Sequence, residues 1–545
     1  MSKNIKQIAF KEYRDPVELY VEKLNDKGQG IAYFENSEIY LEGVIDGETV
    51  LAKIGDPFAN GSKRRPGTVI SITEESPDRV DYKDKSLQSV MSFGPISYEG
   101  TLKRKQEMIA QALKRAGIDS CNLKTVQRAD LSVPSRYKSI RYFAFLNEKV
   151  VNGFYKVHSH EVVAVECCSL EPLWFSSFAN DLCSFFTGEN ISVYDEKSQK
   201  GLLRSLLLRD TIKEKMAVLV VSEAPSEIFI DRLRSQFKDR VDSLYLNVNE
   251  SNSNKILSEK MILISGKEEL TLELCGFNYK AGPFTFLQVN YPVAERMYKK
   301  VVSFCGRDSN KTALDLCCGV GTMTLPLSEN FKKVTGVEIV PESIKAAEDN
   351  AKLNNISNAE FIVGDIRDVI GSLIKKKDIA SIICDPSRVG IGEDACRALA
   401  KLKSPLKLAY IFCSLKALER DLKTLHDNGF EIEEVQGFDM FPYSSHVETV
   451  CQLVLRNPVT HINMDVEEMV QDKRGLATYP QIKEYVLEHS GLKVSSLYIA
   501  QVKQKCGIIE RENYNKPKSE NAKQPQCPHD KEKAIKEALL HFGMI

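Results

Sequence analysis

The amino-acid sequence predicts a multidomain α/β protein, and three observations support this fold class. The chain has 545 residues, enough for about three or four domains. Short strand-like runs separated by turns occupy residues 15–72, and between about 280 and 457 short apolar runs alternate with helix-like stretches. We therefore expect a small N-terminal β-barrel, a mixed α/β central domain, a doubly wound parallel sheet and a helical C-terminal extension. The expected bounds of these four parts are 12–75, 95–270, 275–458 and 461–545.

The composition narrows the class of protein. Hydrophobic residues make up 43% of the chain and charged residues 27%, with a formal net charge of −1. This balance excludes a chain that is basic throughout, but it permits local basic patches that bind nucleic acid. No run of about 18 apolar residues occurs and the N-terminal sequence MSKNIKQIAF is polar, so we expect a cytoplasmic monomer without a membrane span. The 14 cysteines lack the paired spacing of a zinc site, and we expect neither disulfides nor a bound metal.

Residues 17–54 account for the predicted barrel. Hydrophobicity alternates over 17–21, and strand-like runs follow at 31–34, 39–41 and 49–54, with glycine-containing turns between them. Five short strands within about 60 residues are typical of a small barrel of the OB type.

One stretch of this region, DKGQGIAYFENSEIYLEGVIDGETV, resembles a TRAM domain, an RNA-binding β-barrel. The resemblance implies that the barrel contacts RNA. Lys63, Arg64 and Arg65 follow this stretch, and we expect them either to face phosphates or to lie in a solvated loop.

Residues 98–117 have the pattern of an amphipathic helix that ends at a C-capping glycine, Gly117. The apolar stripe consists of Leu102, Ile109 and Leu113, and the other face is basic, with Lys103, Arg104, Lys105, Lys114 and Arg115. Residues 135–265 mix strands and helices without a catalytic motif. In this segment Arg141, Arg204 and Arg209 are candidates for RNA contacts, with surface salt bridges as the alternative.

The parallel sheet is predicted by a series of apolar strands that alternate with helices. Its strands are expected at 312–316, 333–338, 380–385 and 408–413. In such sheets ligands bind at the carboxyl ends of the strands. Glu338, Asp385 and Cys413 fall at these ends, so we expect the chemistry there.

The first strand of this sheet ends in a glycine-rich loop, Asp-Leu-Cys-Cys-Gly-Val-Gly-Thr, which contains Gly319 and Gly321. The two glycines allow a tight turn and a close approach to a ligand. Glu338 lies 17 residues beyond Gly321 at the next strand end, where an acid can accept hydrogen bonds from both ribose hydroxyls of an adenosine. Thr324 stands where a dinucleotide-binding loop carries its third glycine, which leaves an NAD-like ligand as the weaker alternative.

The amino-acid sequence around this loop resembles that of a known family. The segments LDLCCGVGTMTLPLS, GVEIVPESIKAAEDNAKLNN and CDPSRVGI are similar to those of Rossmann-like class I S-adenosylmethionine-dependent methyltransferases. FTFLQVN, CDPSR, FCSLKALERDL and FPYSSHVETV recur in this order in RNA 5-methyluridine methyltransferases. Over roughly residues 15–457 the chain most resembles the bacterial 23S rRNA uracil-C5 methyltransferases. The resemblance implies S-adenosylmethionine as cofactor, with these cofactor-binding residues: Gln288, Cys317, Gly319, Gly321, Thr322, Glu338, Asp365 and Asp385.

The same resemblance implies that Cys413 is the nucleophile and Glu448 the base, and that Asp385 also contacts the uracil edge. Uracil C5 is too weak a nucleophile to attack a sulfonium methyl group, and addition of a thiolate to C6 gives C5 carbanion character. A base must then remove the C5 proton before the thiolate leaves. Lys416 and Arg420 follow Cys413, and we expect them to favour its thiolate form.

This chain departs from the family pattern at several positions. Family members usually have Ser-Cys-Asn-Pro around the nucleophile and Asp-Pro-Pro-Arg at the other motif, where this chain has Phe412-Cys-Ser-Leu and Asp385-Pro-Ser-Arg. Many relatives also hold a [4Fe–4S] cluster with four cysteines, three of them just after the barrel. Residues 76–105 contain no cysteine, and Cys168 alone stands near a ligand position, so we expect no cluster.

Several alternatives remain open from the sequence. Cytosine-C5 enzymes place a Pro-Cys where this chain has Asp385-Pro386, and amino-methylating enzymes have an aromatic residue where Arg388 stands. A non-catalytic RNA-binding or ribosome-assembly factor on the same scaffold is a second class. The substrate is expected to be 23S rRNA because of the barrel, with transfer RNA as the alternative.

The C-terminal extension is expected to be helical. Helices are predicted from about residue 480 to 489 and, after an N-cap at Ser495, to about residue 505. Two helices joined by a short turn resemble a helix-turn-helix unit, which leaves a DNA-directed role as a weak alternative. Residues 510–530 have the composition of a linker.

Overall fold

The structure, a computed structural model, divides at residue 456 into two units that are described separately. It describes residues 15–455 except 26, 59–61, 82–84, 88, 157–158, 254, 374–377 and 403–404, together with 479–506, 527–542 and 544. No helix among these residues is long and apolar enough to cross a membrane.

The N-terminal strands form the predicted barrel, which is closed in the order β1-β2-β3-β5-β4. The five strands are β1 (Val17–Leu24), β2 (Gly30–Phe34), β3 (Ser37–Leu41), β4 (Thr49–Ile54) and β5 (Arg64–Glu74). Alternate residues such as Leu19, Val21 and Ile39 point inward and form its core, as the period of two requires.

The basic residues that follow the barrel sequence do not all lie in a loop. Arg64 and Arg65 are the first residues of β5. Arg64 is exposed and lies 3.4 Å from a carboxylate oxygen of Glu38, whereas Arg65 is buried. Only Lys63 and Arg64 therefore remain accessible to an RNA phosphate, and the expectation was wrong for Arg65.

The predicted amphipathic helix is α1 (Tyr98–Arg115), followed by Gly117 with a φ of +78° and by β6 (Leu123–Gln127). Its face is less uniformly basic than expected, because Lys105 is fully buried. The Lys105 ammonium pairs with the buried carboxylate of Asp439 and also donates to the carbonyl of Phe441 at 2.8 Å. The hydrophobic stripe predicted the helix correctly, but the charged end of the Lys105 side chain is buried in the core.

This ion pair leads to a prediction about stability. We expect Lys105→Met to lower the free energy of unfolding by about 3–5 kcal/mol, because the Asp439 carboxylate would stay buried without its cation. Urea unfolding followed by circular dichroism measures this change. Lys103→Met is the matched control, since Lys103 is exposed on the same helix. If both variants unfold at the same urea concentration, the buried pair does not hold α1 in place.

The central region forms a seven-stranded sheet in the order β13-β12-β11-β10-β7-β8-β9. Its elements are β7 (Lys138–Leu146), β8 (Lys149–Tyr155), β9 (Val162–Ala164), α2 (Leu173–Gly188), β10 (Leu203–Asp210), β11 (Lys215–Val221), α3 (Glu227–Phe237), β12 (Ser243–Val248) and β13 (Met261–Gly266). Helices α2 and α3 cover one face of this sheet with side chains such as Phe178 and Leu233.

Two of the three arginines proposed for RNA contacts are buried in this region, so both expectations for them were wrong. Arg141 pairs with Glu171 and donates to Asn152 Oδ1 at 2.7 Å. Arg209 donates to the main-chain carbonyl of Thr285. Buried guanidinium groups of this kind hold main chain and side chains together and are unavailable to a phosphate.

A hairpin and a helix connect the central sheet to the last sheet of the first unit. They are β14 (Leu270–Leu274), β15 (Phe277–Ala281) and α4 (Tyr291–Cys305). Apolar residues of the hairpin and of α4 share one core with the second face of the central sheet, through Leu207, Met216 and Val218.

The predicted doubly wound sheet is present, with eight strands in the order β18-β17-β16-β19-β20-β22-β21-β6. Its elements are β16 (Asp308–Leu316), α5 (Thr324–Ser328), β17 (Phe331–Glu338), α6 (Pro341–Leu353), β18 (Ala359–Val363), α7 (Ile366–Leu373), β19 (Ile379–Cys384), α8 (Glu393–Leu399), β20 (Leu406–Phe412), α9 (Leu415–Asp427), β21 (Phe430–Phe438) and β22 (Glu448–Leu455). Strands β16 to β20 are parallel, and the chain order reverses beside β16, which creates a crevice for a ligand. Because β6 pairs with β21, residues 95–270 contribute to two sheets.

Within residues 479–506 and 527–542, the second unit contains the two predicted helices and a third one. They are α10 (Tyr479–Ser490), α11 (Ser496–Lys505) and α12 (His529–His541). The side chain of Ser495 caps α11 as expected, accepting from the Tyr498 amide at 3.3 Å. Ile482, Ile499 and Ile535 pack the three helices together. The sequence interpretation missed α12, and most of the expected linker lies outside the described residues.

Candidate active site

Most of the predicted site residues lie at one edge of the eight-stranded sheet. Four parallel strands end there. Strand β16 ends just before the glycine loop and β17 ends at Glu338, while β19 ends just before Asp385 and β20 just before Cys413. Because the carboxyl ends of parallel strands meet at the same edge, the fold brings these residues together. Asp365 follows β18 at the same edge.

Glu448 reaches this edge by a different route. It is the first residue of β22, which runs antiparallel to β20 with Phe412 opposite Thr449. The observed pairing ends there, and Cys413 and Glu448 are the next residues along the two strands, close enough for the Glu448 charge to raise the pKa of Cys413. Antiparallel pairing therefore places the predicted base near the predicted nucleophile, although 35 positions separate them in the sequence.

The glycine loop has the backbone geometry of a ligand-binding turn. Cys317, Gly319 and Gly321 have φ angles of +71°, +53° and +88°. The amide of Gly319 donates to Glu338 Oε2 at 3.1 Å, while Glu338 Oε1 accepts from the Ile339 and Val340 amides at 2.9 and 3.1 Å. The carboxylate of Glu338 is thus fixed directly against the loop.

The residues around this loop fit an adenosine-containing cofactor. Asp315 is buried, and its Oδ1 atom has no hydrogen-bond partner, while Oδ2 accepts from the Thr324 hydroxyl at 2.6 Å. Burial raises the pKa of Asp315 to about 7. A Cβ atom built on Gly319 would meet no atom within 4 Å, so there is open space beside the loop. Ile339, next to Glu338, is 60% exposed and offers an apolar surface to a flat ring.

The structure also shows the contacts or burial of three other predicted cofactor-binding residues. The main-chain carbonyl of Thr322 accepts from the Tyr279 hydroxyl at 3.2 Å, which anchors the loop to the hairpin. The carboxylate of Asp365 is engaged by Arg367, whose hydrogen bonds lower the pKa of Asp365 to about 2. Gln288 is half-buried in the segment before α4.

The thiol of Cys413 lies in acidic surroundings. It is half-buried, and its Sγ atom lies 3.9 Å from the main-chain carbonyl oxygen of Pro386. Burial, followed by the negative charges of Glu448 and Asp385, raises the pKa of Cys413 to about 12, and the positive charge of Arg388 opposes this shift. The resting thiol is therefore protonated at neutral pH.

The cation that favours the thiolate differs from the expected ones. Arg420 pairs with Asp421 and donates to the carbonyl of Val389 at 2.6 Å, and Lys416 is exposed. Neither residue is among the largest influences on the pKa of Cys413, so their expected effect on the thiolate stays a prediction. Arg388, within the CDPSR motif, takes that role. The CDPSR motif contains Arg388, but only the packing shows that this cation acts on the sulfur.

Glu448 has the properties of a general base for neutral pH. It is 3% exposed, and its Oε2 atom has no hydrogen-bond partner. Burial raises the pKa of Glu448 to about 7, and Arg388 limits the shift. An acid–base catalyst works best when its pKa lies near the working pH.

Asp385 and Tyr298 complete the acidic cluster around Cys413. Burial, followed by the neighbouring Glu448 and Asp315 carboxylates, holds the pKa of Asp385 well above its usual range. Tyr298, on α4, is buried close to both Asp385 and Glu448. The sequence analysis missed Tyr298 because its spacing only marks it as a core residue of a helix.

The position of Arg388 predicts a change in pH dependence. Arg388→Gln removes the charge that lowers the pKa of both Cys413 and Glu448, so both values should rise. Since thiolate and carboxylate are the reactive forms, the acidic limb of the pH–rate profile should move to higher pH. Single-turnover methylation rates across pH measure this shift. Lys416→Gln serves as the control, and an equal shift in that variant would rule out a specific effect of Arg388.

The structure also shows the surroundings of Cys168, the cysteine near a cluster-ligand position of the relatives. Cys168 is buried in an apolar cluster with Leu87, Met91 and Val165. Within the described ranges, no group of three or more His, Cys, Asp or Glu side chains is arranged to hold a metal ion.

Comparisons with known proteins identify the family of this chain. The model of the tRNA (uracil-5-)-methyltransferase family matches residues 210–456. An uncharacterized RNA methyltransferase of Clostridium tetani is 31% identical over 455 residues, which cover 81% of this chain and 97% of the relative. One from Caldanaerobacter subterraneus is 30% identical over 445 residues, covering 79% of this chain and 96% of the relative.

A solved structure has the same fold. The Pyrococcus abyssi tRNA (uracil-54, C5)-methyltransferase, determined in complex with S-adenosyl-L-homocysteine, superposes with a TM-score of 0.63. The alignment covers 80% of this chain and all of the archaeal chain, at 24% sequence identity.

Proposed function

Since this chain belongs to the tRNA (uracil-5-)-methyltransferase family, we propose that it methylates C5 of a uridine in 23S rRNA through a covalent bond from Cys413 to C6. It is an RNA uracil-5-methyltransferase that uses S-adenosylmethionine. The observation that carries the proposed mechanism is the pairing of β20 with β22, which sets a thiol and a carboxyl group of pKa about 7 side by side.

In this mechanism the first task falls to Cys413. Its thiolate adds to C6 of the uracil, which breaks the C5–C6 double bond and moves electron density to C5 and O4. Because the resting thiol is protonated, its proton must first pass to a neighbouring base. A water molecule at the half-buried thiol is that base, which leaves Glu448, partly ionised at neutral pH, free to act in the last step.

Asp385 supports the same step as a hydrogen-bond donor. The pKa of its buried carboxyl group is raised well above the usual range, and the protonated form of this group would donate to uracil O4, which gains negative charge when the thiolate adds. Bound S-adenosylmethionine supplies an electrophilic methyl group on its sulfonium sulfur. Gly319, Glu338 and Ile339 would hold its adenosine portion at the strand ends.

Glu448 then completes the reaction by removing the proton from C5. The electron pair of that C–H bond re-forms the C5–C6 double bond and expels the Cys413 thiolate from C6. The buried Oε2 atom without a partner supports this role, because it is free to accept a proton.

The barrel supports large ribosomal RNA as the substrate. Its outer surface exposes Tyr20 and Tyr33, by 58% and 44% respectively, and the Lys23 ammonium lies 6.0 Å from the centre of the Tyr33 ring. Exposed aromatic rings beside a cation are a common platform for single-stranded RNA. Transfer RNA is the alternative, since the archaeal protein of the same fold is a tRNA methyltransferase by its description.

The test is transfer of labelled methyl groups from S-adenosylmethionine to unmodified transcripts of 23S rRNA and of transfer RNA, followed by nucleoside analysis. We expect labelled 5-methyluridine in the 23S transcript. Label in transfer RNA alone would overturn the choice of substrate. RNA binding without any transfer would overturn the catalytic assignment in favour of a binding factor.

A further inference from the structure

The central sheet carries a cavity of about 910 Å³ that shares no residue with the candidate active site. The cavity lies on the face opposite helices α2 and α3, where Tyr142, Ser205 and Val220 point away from the helical core. The apolar core shared with α4 covers another part of this same face. The volume is within the range of roughly 300–1,000 Å³ of typical small-ligand sites.

Aromatic side chains are stacked along one wall of this cavity. The rings of Tyr142 and Tyr155 lie face to face with centroids 3.7 Å apart, and His160 stacks on Tyr155 at 5.0 Å. His160 lies at the end of this stack, and its side chain is 58% exposed. A wall of stacked and exposed rings is a surface on which a flat ligand can continue the stack.

The aromatic wall is held in place by specific contacts. Glu196 pairs with the His160 ring and accepts from the Tyr155 hydroxyl at 3.3 Å. Asp195, its neighbour, accepts from the amide of Ser198 at 2.7 Å and forms a β-bridge with Lys200, which fixes the loop. These contacts indicate an ordered site, since two carboxylates are used to position the rings and the loop.

Cations also line the cavity. The Arg204 guanidinium lies 4.6 Å from the centre of the Tyr194 ring and donates to the carbonyls of Asn249 and Ser251 at 2.6 and 2.7 Å. Lys197 and Lys255 line the same cavity. Arg204, which the sequence analysis named for RNA contact, is thus the one of its three arginines that lines an open cavity.

We propose that this cavity binds an unstacked nucleotide of the RNA substrate, at a position other than the uridine that is methylated. Sequence-specific recognition of single-stranded RNA uses unstacked bases placed on aromatic rings, with cations near the phosphates. Flipping the target uridine from its stack also disrupts its neighbours, and a second base-binding site stabilises the opened RNA. The inference rests on the proposed function only for the identity of the RNA.

The experiment uses the full chain with Tyr155→Ala and His160→Ala combined, because both rings belong to the stack and neither belongs to the apolar cores of the sheet. The probe is a fluorescein-labelled oligouridylate, measured by anisotropy. We expect its Kd to rise about tenfold or more, as for the loss of base–aromatic stacking. Ile228→Ala is the control, since Ile228 is 68% exposed on α3, which covers the opposite face.

Kinetics with 23S rRNA distinguish the cavity from the active site. In the double variant the KM for RNA should rise, while kcat and the KM for S-adenosylmethionine should stay unchanged. Unaltered oligouridylate binding, or equal weakening by Ile228→Ala, would overturn the proposed cavity site. If wild type binds oligouridylate but methylates no RNA, the proposed function fails, and the binding comparison still decides the cavity.

Discussion

Replacing Cys413 with alanine should abolish methyl transfer while leaving cofactor and RNA binding intact. Without the thiolate, C5 of uracil has no carbanion character, so the loss should be on the order of 10⁴–10⁶-fold, as for removal of other catalytic nucleophiles. Single-turnover transfer of labelled methyl groups measures the rate. Calorimetry with S-adenosylmethionine then shows that the cofactor site is preserved.

The controls for this variant come from other cysteines of the chain. Cys121 is half-buried like Cys413 but lies outside the site, so Cys121→Ala should keep the wild-type rate. Cys413→Ser keeps the size of the side chain but replaces the thiol with a much weaker nucleophile, and it should be nearly as inactive as alanine. Substantial activity in Cys413→Ala would mean that another group attacks C6.

Replacing Glu448 with glutamine should slow the reaction by about 10²–10⁴-fold, which is the usual contribution of a general base. Glutamine has almost the same shape, and it cannot accept the C5 proton. When Glu448 acts only in that last step, methyl transfer proceeds and the methylated RNA remains attached to Cys413. A labelled protein–RNA complex that survives denaturing electrophoresis is the expected result.

Two further observations separate this role from a structural one. The double variant Cys413→Ala with Glu448→Gln should form no covalent complex, because the attached residue is missing. In wild type, protonation of Glu448 as the pH falls below about 7 should slow product release, and this dependence should disappear in Glu448→Gln. Equal release rates in the two proteins across this pH range would assign the proton transfer to another group.

The local pattern of the sequence was sufficient for much of the fold. Alternating residues predicted the barrel strands, and short apolar runs predicted β16, β17, β19 and β20 with their ends. These features depend on residues near one another in the chain, and the periods of helix and strand reveal them. The strand ends also predicted where Glu338, Asp385 and Cys413 would lie, since a parallel sheet presents its carboxyl ends at one edge.

The sequence predicted the exposure of charged residues less accurately. Lys105, Arg141 and Arg209 were expected on the surface, and all three are buried. A charged side chain is usually exposed unless a partner compensates its burial, and the partners here are distant in sequence. Asp439 lies 334 positions from Lys105, so no local pattern could pair them.

For the active site, the sequence alone determined the types of the reacting groups and the loop that can hold the cofactor. Only the tertiary structure decided that Glu448 is next in register to Cys413, that Arg388 is the cation opposing the rise in thiol pKa, and that Arg204 borders an open cavity. The physical reason is that pKa values and hydrogen bonds depend on distance and burial in space. Strand pairing determines the distances and the burial, and it joins segments that are remote in the sequence.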